Sequence, residues 1–388
     1  MSEMTFFIST GLDMEEGLAQ EMREQWVWLL DLDGRPHSEP FPELLIEKGG
    51  VTFRAPLHLG LQFNFFLKTA NRILLRLAEF RVRDFPKLFQ KAKAISWQDW
   101  LTHKEVYLEV AASQSRLNNE KRVAETLSEA WGLKACAKDK AKDKIFVRVF
   151  DDLLTISLDT SGEHLHFRGQ MNGQEKWIGE APVRETLAAF CLQRLIGENS
   201  WSSIREVTLV DPMMGSGTFL LEALKMGQPV SRQFSFQNWK KCPKALTLPA
   251  FYQGRMLPSP WAGLQGSDLE EKVVKSAQKN ISAETSSNKI STEVRDLFGD
   301  KTSTIPHTWM ILNPPYGERI AWDHTPDELL TALVKKWNPE RIGILWTVAQ
   351  AQKAPQAISS PRGTLRQSAF YPLQNGGIRV QFQVWNRE

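Results

Sequence analysis

Val207-Thr208-Leu209-Val210-Asp211-Pro212-Met213-Met214-Gly215-Ser216-Gly217-Thr218-Phe219-Leu220-Leu221-Glu222-Ala223-Leu224 is the stretch that decides the fold. A short β-rich apolar run meets a turn containing two glycines, and a second apolar run follows at helical spacing. Strand, glycine-rich turn and helix in that order put the glycines where the backbone must approach a ligand closely. Spacing excludes two common uses of such a turn. The third position of a G-x-G-x-x-G dinucleotide fingerprint is occupied by Leu220. No Gly-Lys-Ser/Thr follows, so the turn is not a Walker loop.

Farther on stands Ile311-Leu312-Asn313-Pro314-Pro315-Tyr316-Gly317. Each proline fixes its own φ and lacks an N–H, which leaves the carbonyls here able to face a ligand. Asn313 Oδ1 and the Pro314 carbonyl can accept both hydrogens of a planar exocyclic amine, and Tyr316 can stack on the ring that carries it. A proline-rich turn after a buried strand is the plainer reading of these residues alone. Two acidic positions lie between the motifs. Leu264-Gln265-Gly266-Ser267-Asp268 reads as a strand end, followed by Val273, Val274, Ala277 and Ile281 at helical spacing. Val294-Arg295-Asp296-Leu297-Phe298 reads as another. Taken singly, each aspartate is as well explained as a helix N-cap or turn former.

The order of these segments carries a resemblance. Asp211 to Thr218 resembles motif I of the class I S-adenosylmethionine-dependent methyltransferases. Asn313-Pro314-Pro315-Tyr316 resembles motif IV of the amino-methyltransferases acting on adenine N6, cytosine N4 or guanine N2. The resemblance implies an α/β, Rossmann-like domain with S-adenosylmethionine as cofactor. Asp211, Pro212, Gly215, Gly217 and Thr218 would form the turn against its methionine moiety. Asp268 would accept from the ribose hydroxyls, Asp296 would receive the adenine amino group, and Leu297 or Phe298 would flank the ring. Asn313 would stand between cofactor and target base, with Pro314, Pro315 and Tyr316 completing the catalytic set.

At 388 residues and 42% hydrophobic content the chain can build two or three domains. No apolar run is long enough for a membrane span, and no signal pattern opens the chain. Cys136, Cys191 and Cys242 are scattered without a C-x-x-C pair, which suggests neither a disulfide framework nor a metal site. A reducing cytoplasm fits best. The net charge is +3. Residues 61–150 hold 18 Lys or Arg against 10 Asp or Glu, an excess of +8 that leaves −5 for the rest. This distribution suits a nucleic-acid enzyme whose affinity is supplied outside its active site. Within it, Lys138, Lys140, Lys142 and Lys144 alternate with Asp139 and Asp143, and read as a solvated loop.

Upstream, Thr5–Thr10 predicts a strand and the spacing of Met14, Leu18 and Met22 a helix. Gly49-Gly50 turns into another strand. Leu61–Ala70 reads as a helix continuing through Asn71–Leu77, and Asp84–Trp100 has helical spacing. Val106–Val110 alternates as a strand, and Ile145–Val149 with Leu153–Leu158 predicts a hairpin around Asp151-Asp152.

These residues carry a closer likeness. Ala70–Leu75, Ile95-Ser96-Trp97, Ser157–Gly162, Phe167-Arg168-Gly169, Ala181–Ala189 and Asn375–Ile378 resemble the THUMP-containing methyltransferases. The nearest branch is the bacterial one that methylates guanine N2 of large-subunit ribosomal RNA. It implies an N-terminal ferredoxin-like domain (1–60), a THUMP RNA-binding domain (61–165) and a class I methyltransferase domain (166–388). The expected partner is RNA, ribosomal first and transfer RNA second, with no membrane and no metal. The chain departs from the family at Gln170 and Met171, where Tyr-Arg is frequent, and at Met214, where Cys is common. Three rival functions share these features: transfer-RNA guanine-N2 methylation, DNA adenine-N6 methylation, and a non-catalytic role in RNA binding or ribosome assembly.

Overall fold

The computed structural model describes residues 3–168, 183–199, 203–247, 258–284, 289–299, 302, 305–315, 323–360 and 362–388. They divide into two compact units. The first comprises Met1–Thr10, Leu18–Arg168 and Pro229–Arg255; the second comprises Gly11–Gly17, Gly169–Gln228 and Met256–Glu388.

The first unit is built on one eight-stranded sheet. In chain order its strands are β1 (Glu3–Ser9), β2 (Leu44–Glu47), β3 (Gly50–Pro56), β4 (Arg72–Arg81), β5 (Glu105–Ser113), β6 (Lys134–Ala135), β7 (Lys144–Phe150) and β8 (Leu153–Asp159). Across the sheet they run β2-β3-β1-β4-β8-β7-β5-β6. β1 pairs with both β3 and β4, so residues on either side of position 60 share one continuous sheet. The expected hairpin forms as β7 and β8, with Asp151 (φ 47) and Asp152 (φ 57) both left-handed in the turn, a conformation that Asp tolerates.

Three expectations need correction here. The helix ends at Phe66, and Arg72–Leu77 belongs to β4 instead of continuing it. Ile73 and Leu75 are buried while Arg76 and Leu77 are partly exposed, and β4 sits between β1 and β8, where only an extended segment can satisfy both neighbours. A run so rich in leucine fits either period. The loop before β7 is solvated only in part: Lys138, Lys140 and Lys142 are exposed, but Asp143 and Lys144 are buried. Asp143 accepts from Trp239 Nε1 at 3.0 Å, and Lys144 donates to the Gly162 carbonyl at 2.8 Å. The segment 229–255, expected in the third domain, clusters with this first unit. Phe234 meets Phe65 edge-on at 4.9 Å, and Phe236 N–H donates to the Thr160 carbonyl at 3.1 Å.

The second unit holds β9 (Thr208–Asp211), β10 (Gly263–Asp268), β11 (Ile290–Val294), β12 (Thr308–Leu312), β13 (Arg341–Thr347), β14 (Ala357–Ser360), β15 (Gly363–Asn375) and β16 (Ile378–Arg387). Their order is β11-β10-β9-β12-β13-β16-β15-β14. The first five are mutually parallel and β16 returns antiparallel to β13. The helices are Glu185–Ile196, Thr218–Leu224, Glu271–Glu284, Pro326–Trp337 and the short Val348–Ala351. Strands alternating with helices give the α/β class expected from the sequence. Every residue of β12 is buried, as a strand covered on both faces must be. No described helix is long and apolar enough to cross a membrane.

Gly343, inside β13, shows how closely this sheet is covered. A Cβ there would lie 2.5 Å from Phe382 Cζ and 3.1 Å from Leu195 Cδ1. Phe382 is fully buried and its ring has nowhere to retreat. Gly343→Ala should destabilise the chain by about 1–3 kcal/mol in a urea melt, the usual effect of overpacking. Part of that loss should return in a Gly343→Ala/Phe382→Leu double variant, and an unaltered midpoint in the single variant would contradict the packing described.

Candidate active site

The site lies where the strand order reverses. β9 has β10 on one side and β12 on the other, so the chain leaves β9 toward one half of the sheet and reaches β12 in the other. Ligands of open parallel sheets bind in the crevice that this reversal opens at the carboxyl ends of the strands. Val210 is level with Met310, so β9 delivers the glycine-rich turn and β12 delivers Asn313-Pro314-Pro315 to the same edge. One apolar cluster ties these strand ends together. It contains Val210, Leu297, Met310, Leu312 and Trp346, with Met213 and Phe298 packed against it.

The turn is braced by carboxylates. Asp211, 1% exposed, accepts the Met213 N–H at 3.1 Å. Asp268, at the end of β10, accepts the Gly215 N–H at 3.1 Å, and Met214 N–H donates to the Ser267 carbonyl at 3.0 Å. Gly215 (φ 51) and Gly217 (φ 80) are both left-handed, which explains why glycine occupies these two places. Gly217 N–H closes onto the Met214 carbonyl at 2.7 Å, and the Gly217 carbonyl takes the Leu221 N–H to start the helix. Ser216 and Thr218 hydroxyls share a hydrogen bond at 3.0 Å, while Asn280 Nδ2 holds the Ser216 carbonyl at 3.1 Å. A Cβ built on Gly215 would meet no atom within 4 Å. The turn therefore borders open space on the side of its first glycine, and the residues fit a cofactor laid along it.

Asp268 is partly exposed beside that space, so its carboxylate anchors the turn and can also reach a ligand. Burial raises its pKa, against the lowering influence of the Gly215, Glu270 and Leu269 N–H groups. Arg295 N–H donates to the Asp268 carbonyl at 2.9 Å, which fixes the next strand end to this one. Asp296 lies two residues past β11 and is exposed, its Oδ1 accepting the Phe298 N–H at 2.8 Å. Leu297 is committed to the apolar cluster; Phe298 is the partly exposed member of the pair and stacks on His324 at 3.6 Å.

At the end of β12, Pro314 is buried and Asn313 and Pro315 are partly exposed. Gln350 Nε2 donates to the Pro315 carbonyl at 3.4 Å. Its Oε1 accepts the Thr347 N–H at 3.1 Å and the Thr347 hydroxyl at 2.9 Å. Gln350 thus links the end of β13 to the Asn-Pro-Pro segment, a connection the sequence reading missed. Thr347-x-x-Gln350 after an apolar run is a capping-box pattern, so the signal was there to be read. Tyr316 lies outside the described residues, as do Gln170 and Met171.

Burial drives the Asp211 carboxyl well above its ordinary range; the Met213 N–H opposes this and the charge of Asp268 adds to it. A carboxyl with a raised folded pKa holds its proton more tightly in the folded chain. Stability is therefore lost as pH rises from about 4, the unfolded value, toward the folded one. Asp211→Asn removes the ionisation and keeps an acceptor for the Met213 N–H. Its melting temperature relative to wild type should climb between about pH 4 and pH 7. A difference that stays flat or falls would contradict the assignment.

Comparison with known proteins agrees with this architecture. The crystal structure of SMU.472 complexed with SAH superposes with a TM-score of 0.75 at 22% identity, covering all of this chain and 99% of the other. Ribosomal RNA large subunit methyltransferase K/L of Shewanella frigidimarina is 27% identical over 362 residues, which is 87% of this chain and 48% of that protein. YpsC of Bacillus subtilis is 26% identical over 364 residues, 89% of this chain and 90% of its own. The chain spans about half the length of the Shewanella relative. The RMKL-like methyltransferase domain profile matches residues 173–379, more than half of the sequence. The fold is that of the class I methyltransferases, and the chain belongs to the RMKL-like methyltransferase family.

Proposed function

We propose that this protein transfers a methyl group from S-adenosylmethionine to the exocyclic amine, guanine N2, of a base in structured RNA, with large-subunit ribosomal RNA as its substrate. The observation that carries the reading is the pairing of β9 with β12, which ends the glycine-rich turn and Asn313-Pro314-Pro315 at one edge of the sheet. The names of its relatives support the substrate class. So does the excess of Lys and Arg over residues 61–150, in the region that resembles a THUMP domain.

S-adenosylmethionine supplies an electrophilic sulfonium methyl when bound. The turn Gly215–Thr218 would hold its methionine end, with Asp211 and Pro212 shaping the turn. Asp268 would take the ribose hydroxyls and Asp296 the adenine amino group. An aromatic amine is a poor nucleophile because its lone pair is delocalised into the ring. Asn313 Oδ1 and the Pro314 carbonyl would accept hydrogen bonds from its two N–H groups, so that the nitrogen lone pair turns out of the ring; the N–C bond would form as the C–S bond breaks, S-adenosylhomocysteine would leave, and one N–H proton would pass to solvent. The two acceptors act as dipoles fixed before the reaction starts. Two prolines with restricted φ and the Gln350 bond to the Pro315 carbonyl hold that segment in place. Tyr316 replaces the stacking that the base loses on leaving its helix. Alignment of nucleophile and methyl provides the remaining acceleration.

Incubation with labelled S-adenosylmethionine and total bacterial RNA tests the reading. Label should appear in the large ribosomal RNA as N2-methylguanosine. Label confined to transfer RNA, or recovered as N6-methyladenosine, would overturn the substrate; absence of transfer to any RNA or DNA would overturn the enzyme. Asn313→Ala should slow single-turnover methyl transfer by about 10²-fold or more with cofactor affinity nearly unaltered. Asp268→Ala should weaken cofactor binding by about 1.5–3 kcal/mol in calorimetry, the range for lost hydrogen bonds to a charged group. Asp268→Asn, which keeps an acceptor for the Gly215 N–H, should fall between that variant and wild type.

A further inference from the structure

In the first unit, the segment that follows β8 is held by cations along almost its whole length. Arg232 Nη1 donates to the carbonyls of His164 (3.1 Å) and Phe167 (3.2 Å), and its Nη2 to those of Ser161 (3.1 Å) and Glu163 (2.7 Å). Arg72 and Lys144 both donate to the Gly162 carbonyl, at 2.7 and 2.8 Å. Arg168 donates to the Leu165 carbonyl at 2.8 Å. Few surface loops are fixed so thoroughly, and fixing a loop costs conformational entropy that must be offset elsewhere.

What this loop displays is aromatic. His164 and His166 stack at 5.4 Å with 24° between their planes, and His166 meets Phe167 at 4.1 Å and 40°. Phe167 ends the series 56% exposed. A lone exposed phenylalanine calls for no explanation. A phenylalanine whose ring lies tilted against His166, on a loop whose carbonyls are taken up by arginine and lysine, is a different object. Arg72, Lys144, Arg168 and Arg232 stand against Asp159 and Glu163, and Lys138 is close enough to act on His164 and Glu163. Burial, and then the positive field of Arg72, hold the His164 pKa down to about 4, so the stack begins with a neutral imidazole at physiological pH.

We propose that the loop Ser161–Arg168 is a stacking platform for one unpaired nucleobase of the RNA, with Phe167 offering the π-face, the buried arginines holding the loop rigid, and the exposed Lys138 beside it drawing in a neighbouring phosphate. The inference rests on the RNA reading given above and adds a site within the first unit. Aromatic stacking on a base is sequence-tolerant, because every base has a π-face, and rigidity in the platform lowers the entropy lost on binding.

The test uses the full chain and two fluorescent probes, a hairpin RNA with a single-stranded 3′ overhang and the same hairpin blunt-ended. Phe167→Ala and Phe167→Leu should each weaken binding of the overhang probe by about fivefold or more, the loss expected for one stacked base. Phe167→Trp should retain or exceed wild-type affinity. Binding of the blunt hairpin should be the same in all four proteins, and S-adenosylhomocysteine affinity should not move. Equal overhang affinity in wild type, Phe167→Ala and Phe167→Leu would overturn the platform while leaving the RNA reading standing. Failure of the wild-type chain to bind either probe at low salt would overturn both.

Discussion

The candidate site depends on one constraint, the place of β9 in its sheet. Flanked by parallel neighbours on both sides, β9 has no free edge, and its end lies where the strand order reverses, the place at which open parallel sheets bind ligands. Asp211 ends the strand within that buried environment, where a carboxylate is costly unless hydrogen-bonded. It takes the Met213 N–H and so bends the chain at once into the turn. Asp268 on the next strand takes the Gly215 N–H, and the left-handed glycines complete a backbone path that no residue with a Cβ follows easily. The turn is thus preorganised by contacts from two strands, one on each side of the bend. Asn313-Pro314-Pro315 is held in a comparable way, by restricted prolines and by Gln350 from the end of β13.

This division of labour accounts for the chemistry proposed. Exocyclic amines require no strong base or metal, but they do require acceptors that are already in position. A segment built of prolines at the end of a fully buried strand loses little further freedom when a base arrives. The same economy runs through the first unit, where arginine and lysine side chains hold the carbonyls of a loop and leave its aromatic rings facing outward. Both are rigid presentations of groups that, in the roles proposed, would recognise a planar ring.

Much of this could be read from the sequence, because local chemistry signals it. The glycines at 215 and 217, the aspartates that end strands and the Asn-Pro-Pro segment are short-range patterns, and each lies where a strand end was expected. The α/β alternation follows from the same periodicities. What escaped was set by distance along the chain. Arg72–Leu77 carries leucines at spacings that serve a helix or a strand, and only its neighbours in the sheet decide between them. Residues 229–255 return to the first unit because Phe234, Phe236 and Trp239 fill its core, a fact of topology that no local pattern announces. The burial of Asp143 depends on that same return, through Trp239 and Ser235. Asp268 was expected at a ribose, and its hydrogen bond to the Gly215 N–H became visible only with the turn in place.

The account's central claim is that the ends of β9, β10, β11 and β12 form one cofactor and amine site. Hydrogen–deuterium exchange of the full chain, with and without S-adenosylhomocysteine, addresses it most directly. Protection is expected in peptides covering 211–218, 266–270 and 294–299, together with a smaller change at 311–315. Protection confined to other segments, or saturating ligand that leaves the glycine-rich turn exchanging as fast as before, would contradict the assignment of this strand edge as the active site.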